Sequence, residues 1–135
     1  MERLSLLNAH FQSELTGASN FKDTWNLLRM NDFMSEKGMQ LKDATEKLMR
    51  AECPNLLKYY NSTDFPFFMV DKLKTLGISG LDMKGIGGPE LPTFDMMAIS
   101  YELARWDASV ATFMIVQNGL GMHTIYHLGN EEQKQ

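Results

Sequence analysis

The sequence predicts an all-α fold, an up-and-down helical bundle. Apolar residues recur three and four apart in several separate stretches, the period of a helix with one buried face. No stretch alternates apolar and polar residues with period two for long enough to make a strand. Four of the ten glycines and two of the four prolines fall in "SGLDMKGIGGPELP", a loop that turns the chain between helices.

The first helix is expected from about Asp32 to Ala51. Phe33, Met34, Leu41, Ala44, Leu48 and Ala51 form its apolar stripe, with Glu36, Lys37, Lys42, Asp43, Glu46 and Lys47 between them. Gly38 weakens it by about 1 kcal/mol relative to alanine, and Pro54 ends or bends it. "NLLKYYN" follows as a short helical turn or a loop.

"DFPFFMVDKLKTLGI" makes the second helix, with Pro66 at its first position and Met69, Val70, Leu73 and Leu76 on one face. Gly77 then Ile78 has the form of a left-handed cap closed by a hydrophobic contact. In the following loop Glu90 stands where GxGxxG needs its third glycine, which removes the support for a phosphate cradle.

Thr93 is expected to cap a third helix through about Arg105. Its Phe94, Met96, Met97, Ala98, Ile99, Tyr101, Leu103 and Ala104 leave little polar surface, so it is buried on more than one side. Asp107 caps a fourth, "ASVATFMIVQNGLG", which "MHTIYHLG" continues or restarts before Gly129. Asn130 then caps a new start, with Glu131 and Glu132 on its first turn, where the helix dipole favours negative charge.

The 135 residues suffice for one domain with a hydrophobic core. A formal charge of -4 with no cluster of lysine and arginine argues against nucleic acid as the main partner. Cys53 is the only cysteine, which excludes an internal disulfide and a cysteine-rich zinc site and points to a buried or half-buried structural thiol. The opening "MERLSLLNAHFQSELTGASNF" has neither the apolar core of a secretory signal nor the charge balance of a mitochondrial presequence. Ala108 to Asn130 carries no formal charge, yet Gln117, Asn118, Gly119, Gly121, His123, Thr124 and His127 interrupt it too often for a membrane span.

His123 and His127, four apart, share one helix face. Thr124 and Ile125 occupy the places between them where a zinc-protease motif has its acid, and no third ligand is visible. Two hydrogen-bonded histidines are expected there rather than a metal. The eleven methionines suit core filling, with the lining of an apolar cavity as the alternative. The acids are expected on solvent faces, with no carboxylate pair isolated in apolar surroundings as acid and base.

The stretch "ELARWDASVATFMIVQNGLGMHTIYHLGNEEQKQ" resembles the flavin-dependent acyl-CoA dehydrogenases and acyl-CoA oxidases. There a glutamate-leucine-alanine-arginine helix meets an aspartate-capped apolar helix, a glycine corner and "GxxEQK". "FPFFMVDKLKTLGISGL" is similar to the family's preceding helix, and "MKGIGGPELP" and "MHTIYHLG" to the branch of glutaryl-CoA dehydrogenase and short-chain acyl-CoA oxidase. The resemblance covers about residues 30–135, implying an N-terminal helical domain over 30–135 preceded by an extension over 1–29. It also implies that the chain stops at the first turn of a helix that continues in the family, ahead of a β-domain and a C-terminal four-helix bundle.

In that family a glutamate removes the α-proton of an acyl-CoA while a hydride leaves the β-carbon for FAD. The base and most flavin contacts lie in the two later domains, so the resemblance implies no catalytic residue and no bound FAD in this chain. It assigns to Ala111, Thr112, Ile115, Val116 and Gly119 one wall of the acyl pocket. Glutaryl-CoA dehydrogenases have an arginine corresponding to Ala111; with Ala111 and Ile115 both apolar, a far carboxylate would be buried unpaired at a cost of several kcal/mol. A short or branched monocarboxylic acyl-CoA is the implied substrate, a homotetramer the implied assembly, and the mitochondrial matrix or peroxisome the implied location. The other reading is a stand-alone helical interaction module that uses the same apolar face to bind a partner or a full-length homologue.

Overall fold

The structure, a computed structural model, describes Trp25 and residues 27–134. The chain divides into two units, Met1–Met34 and Ser35–Gln135. Most of the 1–29 extension therefore lies outside the described residues.

In the first unit Met30–Phe33 is a 3₁₀ turn, entered through Arg29 at φ 51°. The Trp25 indole N–H donates to Asn31 Oδ1 at 2.7 Å, and Arg29 pairs with Asp32. The first helix was expected to start at Asp32, but Asp32 and Phe33 belong to this turn and Phe33 is 69 % exposed.

In the second unit α1 runs Glu36–Leu56, α2 Phe67–Leu76, α3 Thr93–Trp106 and α4 Ala108–Ile115. A π-helical segment, Val116–Met122, joins α4 to α5, His123–Leu128, and α6 is Glu131–Lys134. Every described element is helical. None of these helices is long and apolar enough to cross a membrane.

Helix α1 begins where a side chain can hold its first turn. Ser35 Oγ accepts the Gly38 N–H at 3.0 Å, satisfying a donor that the helix itself cannot. Pro54 lies inside α1 rather than ending it; the helix runs two residues further and closes in a 3₁₀ turn, Leu57–Tyr59. The buried line of α1 is Gly38, Thr45, Met49, Cys53 and Leu56, which rotates it away from the expected stripe. Leu41, Ala44 and Leu48 are half-buried and Ala51 is exposed.

The cause is α3, the main partner of α1. Its Asp95 sits against Gly38, so a small residue rather than an aliphatic one marks the contact. A Cβ on Gly38 would come within 2.8 Å of the Asp95 Cβ, and closer still to the carboxyl. Thr45 fits the same buried line because its hydroxyl donates to the Leu41 carbonyl at 2.8 Å.

Helix α2 ends as its sequence indicates: Gly77 takes φ 66° and Ile78 is buried behind it. Pro66 stands one residue before the helix instead of at its first position. Similarly, Pro92 occupies the cap of α3 and Thr93 is its first helical residue, making no capping bond. The buried face of α3 is Asp95, Ala98, Ile99, Glu102, Leu103 and Trp106, whereas Met97 is 65 % exposed. Asp107 caps α4 as expected, its Oδ1 accepting the Val110 N–H at 2.9 Å. Asn130 caps α6 reciprocally: its Oδ1 takes the Gln133 N–H, and its own N–H donates to Gln133 Oε1, each at 2.9 Å.

Both expected roles for methionine occur among the described residues. Met49, Met69, Met83 and Met114 fill the core, each at most 4 % exposed, while Met96 and Met97 border a groove.

Candidate functional site

Between α3 and the junction of α4 with the π segment lies an open groove of about 520 Å³. Met97, Tyr101 and Ala104 form one side, and Ile115, Gly119 and His123 the other. The π segment is what brings Gly119 to it. A π turn adds a residue to the helical circuit, so the side chains after Ile115 do not continue the face that α4 presents to the core. Gly119 and Gly121 lie inside this unbroken helix, both without positive φ, so the expected glycine corner is absent.

Asn118 fixes the segment in place. Its Oδ1 accepts the Gly80 N–H at 2.8 Å and its Nδ2 donates to the Ile78 carbonyl at 3.1 Å, tying the π segment to the turn after α2. Both amide groups of one side chain thus satisfy backbone groups that the loop would otherwise leave open.

The five residues expected to wall a pocket separate. Ile115 and Gly119 line the groove. Thr112 and Val116 lie on exposed surface outside it, the Thr112 hydroxyl donating to the Ala108 carbonyl at 2.8 Å. Ala111 is 3 % exposed and belongs to the interior. Around them Ile115 is 54 %, Val116 45 % and Leu120 70 % exposed, an apolar surface on a stretch without a formal charge.

At one end of the groove the two histidines meet as expected. His123 Nδ1 is 3.3 Å from His127 Nε2, with the rings stacked. The Asp82 carboxylate accepts from His123 Nε2 at 2.9 Å, which leaves Nδ1 as the acceptor toward His127. Among the described residues no three His, Cys, Asp or Glu side chains cluster to hold a metal.

The acids depart from expectation. Asp95, Glu102 and Asp107 are buried, at 0 %, 2 % and 5 % exposure. Each is there because fixed donors surround it. Asp95 accepts from the Ser35 backbone N–H and from its hydroxyl. Glu102 accepts from the Trp106 indole at 2.9 Å and from Arg105, with Lys42 Nζ at 3.8 Å. Asp107 accepts the Val110 N–H and, at 2.6 Å, the Tyr60 hydroxyl. Carboxylates so occupied tie helices together and are not poised as general bases. The one local signal was the spacing of Glu102, Arg105 and Trp106, which puts both partners one turn from the acid.

Cys53 is buried, and burial followed by the nearby Asp107 charge raises its thiol pKa, which disfavours the reactive thiolate. Tyr60 is raised as well, first by burial and then by its bond to Asp107.

In the glycine loop the Gly85 N–H donates to Glu90 Oε1 at 3.1 Å.

The described elements of this unit are all helical and border an apolar groove between α3 and the π segment. The family described as acyl-CoA dehydrogenase, N-terminal domain, matches residues 35–135, beginning at the residue that caps α1. The chain belongs to that family. An acyl-CoA dehydrogenase of Bacillus subtilis (strain 168) is 24 % identical over 103 residues, covering 75 % of this chain and 27 % of that protein. The chain thus spans about a quarter of the length of that relative.

Proposed function

We propose that this chain acts as the N-terminal helical domain of an FAD-dependent acyl-CoA dehydrogenase or oxidase, of the glutaryl-CoA dehydrogenase and short-chain oxidase branch. It walls the distal end of the acyl pocket and is inactive by itself. The observation that carries the reading is the charge-free apolar surface of α4 and the π segment, where Ile115 and Gly119 line the groove in a chain matched to that domain. Thr112 and Val116 extend the wall, and Ala111 sets its depth from behind.

With Ala111 and Ile115 apolar, the favoured substrate is a short or branched monocarboxylic acyl-CoA. A second carboxylate would lose several kcal/mol on entering unpaired. The complete enzyme is a homo-oligomer of the mitochondrial matrix or peroxisome. Turnover by the completed, flavin-loaded protein tests this: butyryl-CoA is preferred, and a preference for glutaryl-CoA refutes the assignment of the wall.

On its own the chain exposes this surface and self-associates, aggregates or stays loosely packed. A monomer in light scattering with one sharp, cooperative melt would contradict that. The exposed face also supports the alternative of a stand-alone interaction module. Intact mass and visible absorption of the protein from its native source separate the two: a mass above 15.4 kDa with a flavin spectrum supports the flavoenzyme, and 15.4 kDa without colour supports the module.

A further inference from the structure

A second cavity shares no lining residue with the groove. It has a volume of about 310 Å³ and opens between the end of α1, α2 and the first turns of α4. Its apolar walls include Leu56, Met69, Leu73 and Val110, all buried. Aromatic rings frame it: Tyr59, Tyr60, Phe65 and Phe113 all line it, with Phe65 and Phe113 5.7 Å apart between centroids. Nothing in the acyl-pocket reading uses it.

The polar end of the cavity is the Tyr60–Asp107 pair. The Tyr60 proton is committed to Asp107 Oδ2, and Asp107 Oδ1 takes the Val110 N–H. What remains open on both groups is lone pairs, so the pair accepts a hydrogen bond, and the Ser109 hydroxyl beside it is the one side chain at this end that can also donate. Asp64 adds a second carboxylate to the lining. An anionic ligand is disfavoured, and a neutral one carrying a single N–H or O–H is favoured.

Size and lining narrow the class further. An apolar cavity of about 150 Å³ holds one benzene, so twice that volume suits a two-ring system. Four aromatic rings and the Met69 thioether favour an aromatic over an aliphatic occupant through edge-to-face and sulfur–ring contacts. We propose that this cavity binds a small neutral bicyclic aromatic molecule of indole size, with its N–H or O–H directed at the Tyr60–Asp107 pair.

The test uses the full chain and 5-fluoroindole as the probe, followed by fluorine NMR. Saturable line broadening is expected, reversed by excess unlabelled indole, with a nuclear Overhauser contact to the Met69 methyl, assigned through Met69→Leu. Indole-3-acetate, which carries a carboxylate, should compete at least tenfold more weakly. Val70→Trp, which fills the cavity from a half-buried position, should abolish binding. Should that variant fail to fold, Tyr60→Phe, which removes the phenol lone pairs, should weaken binding severalfold while the helical circular dichroism is kept. No saturable broadening at millimolar probe, equal competition by indole-3-acetate, or contacts to Met97 in the groove instead of Met69 would each overturn the proposal.

Discussion

Gly38→Ala separates helix propensity from tertiary contact, because the two predict opposite signs. In an exposed helix interior the substitution stabilises by about 1 kcal/mol. Here the new methyl would come within 2.8 Å of the Asp95 Cβ, and nearer still to a carboxyl that is fully buried and held by Ser35 at the start of α1. Overpacking of this kind costs about 1–3 kcal/mol. Displacing the carboxyl from its donors costs about 1–3 kcal/mol more, since the group is left buried and unsatisfied. The net is a destabilisation of about 3 kcal/mol once the propensity gain is subtracted.

Urea unfolding followed by circular dichroism at 222 nm is the assay. With a slope of about 1–2 kcal/mol/M, the midpoint falls by roughly 1.5–3 M. In an Asp95→Ala background the carboxyl is gone and only the Cβ contact at 2.8 Å remains, so the same Gly38→Ala change costs about 1–3 kcal/mol less than in the wild type. A midpoint that stays or rises in the wild-type background refutes the reasoning, and with it the view that Asp95 sets where α1 meets α3.

Glu102→Ala strips the Trp106 indole and Arg105 of their shared acceptor and leaves a guanidinium in a site it shares with Glu46; a loss of about 3–5 kcal/mol is expected, read from thermal melts. Asn118→Leu opens two backbone groups at Ile78 and Gly80; hydrogen exchange at Gly80 should accelerate by at least tenfold while α1 amides are unchanged. For pH, Tyr60 has its native pKa raised above the unfolded value of about 10, so its contribution is complete below pH 10 and fades as pH rises above it. Tyr60→Phe should therefore flatten the fall in melting temperature above pH 10, and an unchanged slope would contradict that.

Local signals in the sequence were dependable where they named their own partner. Asp107 and Asn130 each cap the helix that follows them, and Gly77 needs only its own φ to end α2. The period of three and four also placed the helices close to where they lie. What failed was set by distant residues. Ser35 starts α1, and its tie to Asp95 crosses sixty positions of sequence. The same contact moved the buried face of α1 from Leu41, Ala44 and Leu48 toward Gly38 and Thr45. No hydrophobic count finds a buried acid, because such an acid is recognised by its donors, and those of Asp95 and Asp107 include residues on other elements.

The groove was only partly legible for a related reason. The expected wall residues 111, 112, 115, 116 and 119 came from the family resemblance, which carries positions along the sequence and not the side of a helix that each one takes. Ile115 and Gly119 line the groove, whereas Ala111 is buried in the interior.

The π segment works as slack in the residue count between two otherwise ordinary helices. It takes up one residue more than α-helical turns would, so one residue deleted between Val116 and Met122 lets the chain relax to α-helix while α5 keeps its setting relative to α4. His123 then stays on Asp82, and Tyr126 stays within reach of the Lys84 carbonyl it now meets at 3.3 Å. The same deletion inside α4, where no slack exists, would turn everything downstream by about 100°.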